Sequence, residues 1–587
     1  LLGAVSMNIS ESTGNDVKCA NRTVNSTTTP CKTIAAALKN YPFESFLYII
    51  EPGSYNISTP MTFPERYMQV YASEGSDRLR STSNDARRAP VVTCQSHCMD
   101  MIIGIGKYAP KLVRGLHFRR SDASTFSRAI ITAIVVTGLS TELTLEDCKF
   151  VGFDRALSLQ RVTTKLVLKQ LEFIRNVAPS NNGDDLGGGA ILIDSCSDIS
   201  LSRSKFVSNK APSSSDGKAM DGGAMAIYST TSSSTVSMKD CWTESNTATG
   251  RGGFVFVGRT SSFFVSSTKM NRDTATKGGA LAAFAATIAL DNVTVASSSS
   301  SAASGALMCT ASSLTLSRST VFNATGVGLS GDFCSAVLKN STFKENHAGG
   351  VRFAKQSDVL VTRCDFIANN AASNIDGGGL SCSGCDRLSV GGGTMFEKNV
   401  AGRGGGVALI DTPNAVLDKS SSFQQNEAKD GGGGGLFWSS VSLSEPSFDK
   451  DMATMWIGNT ANYGPNFASD AVKCRVHARA NSSSSSTEIR RAKNTQTFEP
   501  ITIEVLDFYN ATAADLTLAT KVTVSSQDTK TAPVIGSLEI ALKDDGTAEF
   551  DDLIVAGAPG QTTLRFTVQL NVGQTLVDLE VLTLPCD

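Results

Sequence analysis

Long apolar runs are missing from this chain of 587 residues. The longest, "IITAIVV" at 130–136, falls far short of the roughly 20 residues a helix needs to cross a bilayer, so direct membrane insertion is not expected. An excess of one charge is missing too: 53 Lys and Arg stand against 55 Asp and Glu, which leaves no basic footprint for nucleic acid. Histidines number only 4, and the "CSGC" at 382–385 has neither a second pair at zinc-ribbon spacing nor a βαβ pattern around it. That sets aside a structural zinc and a thioredoxin-like redox role, and no metal or cofactor is expected. Helical stripes are absent from the interior of the chain, while 51 Gly and abundant Ser favour strands and turns.

What is present points outside the cell. The 14 cysteines are even in number and include the close pairs Cys19–Cys31, Cys94–Cys98 and Cys382–Cys385, read as disulfides. Nine N-x-S/T sequons agree with a secretory route: Asn8, Asn21, Asn25, Asn56, Asn292, Asn323, Asn340, Asn481 and Asn510. The start "LLGAV" has no methionine and no charged leader, and is read as a mature product or a fragment of a larger protein.

The dominant feature is a repeat. "EFIRNVA" (172–178), "KFVSNKA" (205–211), "TFKENHA" (342–348), "DFIANNA" (365–371), "MFEKNVA" (395–401) and "SFQQNEA" (422–428) share an aromatic, an asparagine three residues on, and an alanine. "MWIGNTA" (455–461) has Trp for Phe; "WTESNTA" (242–248) moves the aromatic, and "KMNRDTA" (269–275) puts Asp273 at the asparagine position. Glycine pairs follow, as in "GGAI" at 188 and "GGAL" at 278, and the spacing averages roughly 28 residues. Between these motifs apolar residues alternate in short pieces, as strands do, which predicts coils of a parallel β-helix whose inward residues stack. The aromatic is expected in the core. The asparagines Asn176, Asn209, Asn246, Asn346, Asn369, Asn399, Asn426 and Asn459 are expected at sharp turns, where they tolerate left-handed dihedrals and bond backbone groups of adjacent coils. The residues before the glycine pairs, Asp221, Arg251 and Lys277, then Asp376, Arg403 and Asp430, suggest a ladder of opposite charges along one edge.

"GGA[ILV]" with "F-x-x-N" resembles the repeat of chlamydial-type polymorphic outer membrane proteins, and similar repeats of large surface proteins in algae and other protists. "TANYGPNFAS" (460–469) resembles their closing coil, and "GNDVKC…PCKTIAAAL…IIEPGSY" (14–55) their opening, over residues 14–475 in all. The resemblance implies a right-handed β-helix. The bacterial family also carries a C-terminal membrane barrel, whereas this chain ends in "VLTLPCD", so a secreted eukaryotic relative is expected.

The ends read differently. In "CKTIAAALKNY", Ile34, Leu38 and Tyr41 share a helical face, which predicts a short capping helix within an N-terminal segment 1–45. The β-helix is expected over 46–473. The Ser-rich "ANSSSSSTEIRRAKN" is a flexible segment open to O-glycosylation, and alternating strands from about 496 predict an immunoglobulin-like β-sandwich, bringing the last domain to 474–587. Cys474 and Cys586 bracket it and are expected to pair. Catalysis on acidic glycans would need paired carboxylates. The acidic pairs "GDD" (183–185) and "KDDG" (543–546) sit in Gly-flanked turns, and His97, His117, His347 and His477 are scattered. The chain is therefore expected to be no enzyme but a structural extracellular glycoprotein at the cell surface, a subunit that self-associates into a filament, hair or coat. A glycan- or cell-binding adhesin is the alternative, ahead of a polysaccharide-active enzyme.

Overall fold

The computed structural model describes residues 142–179 and 187–478 almost continuously, omitting 215, 231–232, 301–303 and 451–454. Before them it describes the segments 5–9, 46–50, 54–57, 61–62, 69–72, 91–94, 100–105, 112–120 and 132–138, and after them 490–493, 496–514, 521–527, 532–570 and 573–584. The capping helix expected near Ile34 lies outside the described residues, as do Cys19, Cys31 and Cys98. The chain divides into two compact units, Leu1–Thr342 and Phe343–Asp587.

In the first unit, strands from successive coils line up in three parallel sheets. One coil shows the pattern: Lys165–Lys169 lies in sheet A, Glu172–Ile174 in sheet B and Ile191–Asp194 in sheet C. Each pairs in register with its counterpart in the next coil, Leu166 with Ile199, Phe173 with Phe206 and Ile191 with Met225. From Lys149–Val151 to Thr320–Phe322 the sheet B strands are three residues long with only the middle one buried, so one side chain per coil enters the core there. Phe118, Phe150, Phe173 and Phe206 form that column, their rings parallel and 4.8–5.2 Å apart. Burying each ring is worth about 1.5–3 kcal/mol, with about 0.5–1.5 kcal/mol more from stacking. Further on, Thr243, Met270, Val295 and Val321 take the same position. Trp242 has slipped one residue and stands outside, 39 % exposed beneath the Lys205 ammonium.

Sheet C departs from simple alternation: three successive residues are buried in Ile191–Asp194, Met225–Tyr228 and Leu281–Phe284. The charged corner covers part of this face, with the Arg251 guanidinium 4.3 Å from the Phe256 ring centre. The repeat alanines Ala178, Ala211, Ala248 and Ala275 gather with Met220 into a small cluster of their own.

The second unit continues the pattern with a Phe343, Phe366, Phe396, Phe423 and Trp456 column, centroids 4.6–5.3 Å apart. The tryptophan of "MWIGNTA" thus fills the phenylalanine place. Ala471–Ala478, the strand crossing the boundary expected at 473/474, pairs antiparallel with Ile501–Asp507, which pairs with Thr547–Phe550. A second sheet holds Gly573–Leu584, Gly560–Leu570, Lys521–Ser526 and Glu539–Ala541 in antiparallel pairs, with Arg490–Lys493 parallel at its edge. The two sheets enclose Ile501, Val505, Val522, Phe550 and Phe566 as a sandwich, and Phe437, Tyr463 and Ala468 of the last coils belong to the same core.

Cysteine chemistry differs from expectation. Cys382–Cys385 is bonded, and so is Cys309–Cys334, which ties one coil to the next and was not foreseen. Cys148, Cys196, Cys241 and Cys364 are buried thiols outside any disulfide. Burial pushes Cys148 up to about 12 and Cys196 and Cys241 up to about 11, so they are inert fillers. Cys474 is free as well, contrary to the pairing with Cys586. Its sulfur faces Thr575 Oγ1 at 3.9 Å, near the start of Gly573–Leu584. Cys586 follows the end of that strand and lies outside the described residues.

Each glycine pair has a division of labour. In the pair at 222–223, Gly222 takes φ 67°, and a Cβ on Gly223 would lie 2.1 Å from the Gly253 carbonyl oxygen of the next coil. Gly223→Ala is expected to destabilise the fold by about 1–3 kcal/mol or more, because only backbone can yield. Thermal denaturation beside a surface control such as Thr315→Ala measures it.

Candidate functional surface

The repeat asparagines form a ladder through the interior of the coils. Asn176, Asn209, Asn246, Asn346, Asn369, Asn399 and Asn426 are fully buried and Asn459 nearly so. Asn209 is typical: its backbone N–H and its Nδ2 both donate to Asn246 Oδ1, each at 3.0 Å. Its second amide hydrogen goes to the Phe173 carbonyl of the preceding coil, also at 3.0 Å. Asn369, Asn399 and Asn426 repeat this arrangement in the second unit.

These asparagines are not the left-handed residues they were expected to be. The residue before each one is: Arg175, Ser208, Ser245, Glu345, Ala368, Lys398 and Gln425 have φ between 52° and 56°. The physical reason is direction. The ladder amide must point inward to reach the next rung, so the neighbouring outward residue absorbs the turn. The asparagines that do have positive φ among the described residues are Asn292, Asn323, Asn340 and Asn510, and each opens a sequon. All four are exposed. Asn8 and Asn56 lie in strands Val5–Ile9 and Ser54–Ile57, and Asn21, Asn25 and Asn481 lie outside the described residues.

Asp273 replaces a rung. Its Oδ1 accepts from the Asn246 N–H and Nδ2, both at 2.9 Å, as an asparagine would. Its Oδ2, which when ionised cannot donate to a carbonyl as an amide does, accepts from Thr243 Oγ1 at 2.6 Å. Thr243 stands where other coils place phenylalanine, so the two departures from the repeat compensate each other. Burial pushes the carboxyl up to about 7, against the opposing pull of Thr243 and Asn246.

The charge ladder is half formed. Arg251 Nη2 meets Asp221 Oδ2 at 2.7 Å, and Arg403 Nη2 meets Asp376 Oδ2 at 2.8 Å. The second carboxylate on Arg403 is Asp470, at 3.1 Å, rather than Asp430. Lys277 pairs in backbone register with Arg251, so like charges adjoin there. Carboxylates considered for catalysis are otherwise engaged: Asp545 Oδ1 accepts from the Thr547 N–H and Oγ1 within the 543–546 turn. Burial would raise the Glu504 carboxyl, but bonds from Thr512, His477 and Arg475 hold it at about 2. His117 Nε2 is buried without a hydrogen-bond partner, and burial, then Lys149 and Arg119, lower its pKa. "GDD" and His97 lie outside the described residues, which also include no His, Cys, Asp and Glu group able to hold a metal ion.

Among the described residues, the outward centre of sheet A carries no charge. In the first unit its column runs Ser200, Ser237, Phe264, Ala289, Thr315 and Val337. Phe264 is 42 % exposed and walls a shallow cleft of about 390 Å³ floored by Ser200 and Ser237, with Lys239 and Asp291 at its rim. In the second unit Leu360, Ser389 and Val416 line a wider groove of about 750 Å³.

Residues 278–451 match the family model for a right-handed β-helix region. With the parallel sheets, this defines the chain as an all-β protein built on a right-handed parallel β-helix followed by antiparallel strands. No curated protein matches it. Among solved structures, ORF18 of Geobacillus virus E2 is similar at 10% identity and a TM-score of 0.22, over 98% of this chain and 76% of that one. So slight a likeness carries no argument.

Asn209→Ala is expected to cost on the order of 3 kcal/mol or more, since it strips the acceptor from two Asn176 donors and the donor from a buried carbonyl; chemical denaturation measures it. Asp273→Asn should act in the opposite direction, with a pH signature. The folded carboxyl keeps its proton up to about pH 7, while the unfolded one releases it near 4. Stability from this group is therefore full below pH 4 and lost as pH rises through 7. The amide variant should match the parent at pH 4 and exceed it by on the order of 1–4 kcal/mol at pH 8, in melts run across that range.

Proposed function

We propose that this chain is a non-enzymatic structural glycoprotein of the cell exterior, which self-associates as a subunit of a surface filament, hair or coat. The observation that carries the reading is the uncharged outward centre of sheet A within each unit, with Phe264 exposed in the first and Leu360 and Val416 in the second. Exposed apolar side chains beside uncharged neighbours on a sheet surface suit a contact with another molecule, and a second copy of the chain offers the same uncharged face in return. The polar groups of the coils support the reading from the other side. Asn ladder amides, Asp273, Asp221 and Asp376 are spent on bonds between coils, which is how a stable scaffold uses them. The repeat resembles that of chlamydial-type polymorphic outer membrane proteins and of algal and protist surface proteins, and the C-terminal sandwich resembles immunoglobulin-like modules.

Right-handed β-helices include both polysaccharide-active enzymes and non-enzymes, so the fold leaves that choice to the site. The alternative reading, a glycan-binding adhesin, is favoured by one feature: the Phe264 ring beside serine hydroxyls, an apolar platform with polar neighbours that suits a sugar ring.

Assembly is tested on the purified glycosylated protein by light scattering over a concentration series. Growth in particle size is expected, and Phe264→Lys with Val416→Lys should return it to a monomer, since charges facing each other across a dry contact are costly. A particle that stays monomeric at every concentration, with no periodic assembly in images of the source surface, overturns the reading. Incubation with acidic and neutral polysaccharides is expected to give neither cleavage nor tight binding; saturable binding lost in Phe264→Ala would move the assignment to the adhesin.

A further inference from the structure

We infer that Asn292, Asn323 and Asn340 carry N-linked glycans that together screen the outer face of sheet B in the coils around them. The inference rests on the extracellular part of the reading above and goes further, by assigning modified positions and the face they close.

Placement is the first argument. Asn292 follows the sheet A strand Thr287–Asp291 and precedes the sheet B strand Thr294–Ala296. Asn340 holds the same corner two coils later, after Ser335–Lys339. Asn323 lies on the opposite corner, directly after the sheet B strand Thr320–Phe322. With coils about 4.8 Å apart, Asn292 and Asn340 stand about 10 Å from each other. Sugars at these positions flank sheet B from both sides, over a face that presents Thr294, Ala296, Thr320 and Phe322 between them.

Side-chain state is the second argument. The ladder asparagines are buried and use every amide hydrogen, so no sugar can reach them. The three corner asparagines are exposed, with φ of 53°, 54° and 48°. Asn292 Nδ2 donates to Ser267 Oγ at 3.3 Å and Asn323 Nδ2 to Ser297 Oγ at 3.1 Å, both in the preceding coil. A glycosylated amide nitrogen keeps one hydrogen, so these bonds can survive modification.

The chemistry balances without any oxidant. The Asn Nδ2 displaces lipid pyrophosphate from the anomeric carbon of a lipid-linked oligosaccharide. One N–H bond is replaced by one N–C bond, the carbon–oxygen bond to the pyrophosphate breaks, and the amide proton passes to a base of the transferring enzyme. In the folded chain the hydroxyl-bearing Thr294 and Thr342 of two sequons already lie in sheet strands. Transfer therefore belongs to the stage before the coils close.

The test uses the full chain secreted from a eukaryotic host. The glycans are removed with peptide N-glycosidase in ¹⁸O water, and the peptides are mapped by mass spectrometry. Labelled aspartate is expected at 292, 323 and 340, and an unmodified peptide at any of them overturns the assignment. Screening is read by hydroxyl-radical oxidation of the folded protein before and after sugar removal. Phe322 should oxidise several-fold faster once the sugars are gone, while Phe264 on sheet A stays unchanged as the internal control. Equal change at both rings, or none at Phe322, overturns the screening. Neither readout depends on assembly, so a monomeric particle leaves this result standing and unmodified peptides leave assembly untouched.

Discussion

A buried amide in this fold can be satisfied only by the coil next to it. Asn209 has two amide hydrogens and one carbonyl oxygen, and all of their partners belong to adjacent coils, as they do for Asn369, Asn399 and Asn426. An unpaired amide inside costs kilocalories, so a coil is stable only with a neighbour on either side. Other features follow from that dependence. The phenylalanine two residues before the left-handed corner must keep its carbonyl aimed at the next rung, which keeps the sheet B strand short and its register fixed. The glycine pair must let the next coil approach within a distance that no Cβ tolerates.

Where the ladder stops, other devices appear. After Asp273 the position is taken by Ser298 and Ala324. These are also the coils in which Cys309–Cys334 joins consecutive turns, contributing about 3 kcal/mol in the chain-entropy picture. A second column of small polar side chains helps at the corner between sheets A and B. The Leu171 N–H donates to Ser204 Oγ at 3.0 Å, the Val293 N–H to Ser319 Oγ at 2.9 Å, and the Ser319 N–H to Ser341 Oγ at 3.2 Å. Cys241 stands in that same column, accepting weakly from the Ser204 N–H. That explains why a thiol is used there without redox chemistry: a small, slightly polar side chain is what the corner needs.

Much of this was legible because the repeat writes its own alignment. The aromatic column, the alanine in the bend, the glycine pairs and Trp456 in place of Phe could all be read from spacing, since each is a local demand met once per coil. Three things were not legible, each for a physical reason. The β-helix was expected from residue 46, but its repeat motif could not be aligned before residue 165, because Phe153, not asparagine, takes the rung after Phe150, although its N–H still donates to Asn176 Oδ1 at 3.1 Å. The handedness of the corner could not be assigned between two adjacent residues, because asparagine propensity fits either until the direction of the amide is known. The cysteines were ambiguous because a thiol two residues before the aromatic, as in "DCKF" and "RCDF", fills the place that serine fills in "SRSKF". The expected Cys474–Cys586 pairing is not borne by Cys474, a free thiol beside Thr575.

The same constraint accounts for the end of the second unit. A stack of coils must finish somewhere, and its last strands would present open edges and unpaired polar groups. Here the last sheet C strand, Phe467–Ser469, runs almost directly into Ala471–Ala478 of the antiparallel sheet, so the chain turns its own edge into the next module. Asp507 holds the junction from inside, accepting from the Tyr509 and Ala511 N–H groups at 2.9 and 2.8 Å and from the Ser469 N–H at 3.3 Å. Trp438 Nε1 donates to the Tyr509 hydroxyl at 2.8 Å, and that hydroxyl donates to Glu445 at 2.7 Å. Phe448, Trp456 and Phe467 pack edge-to-face around them. The sandwich therefore supplies to the final coils the partners that a further coil would have supplied, and shares one core with them in return.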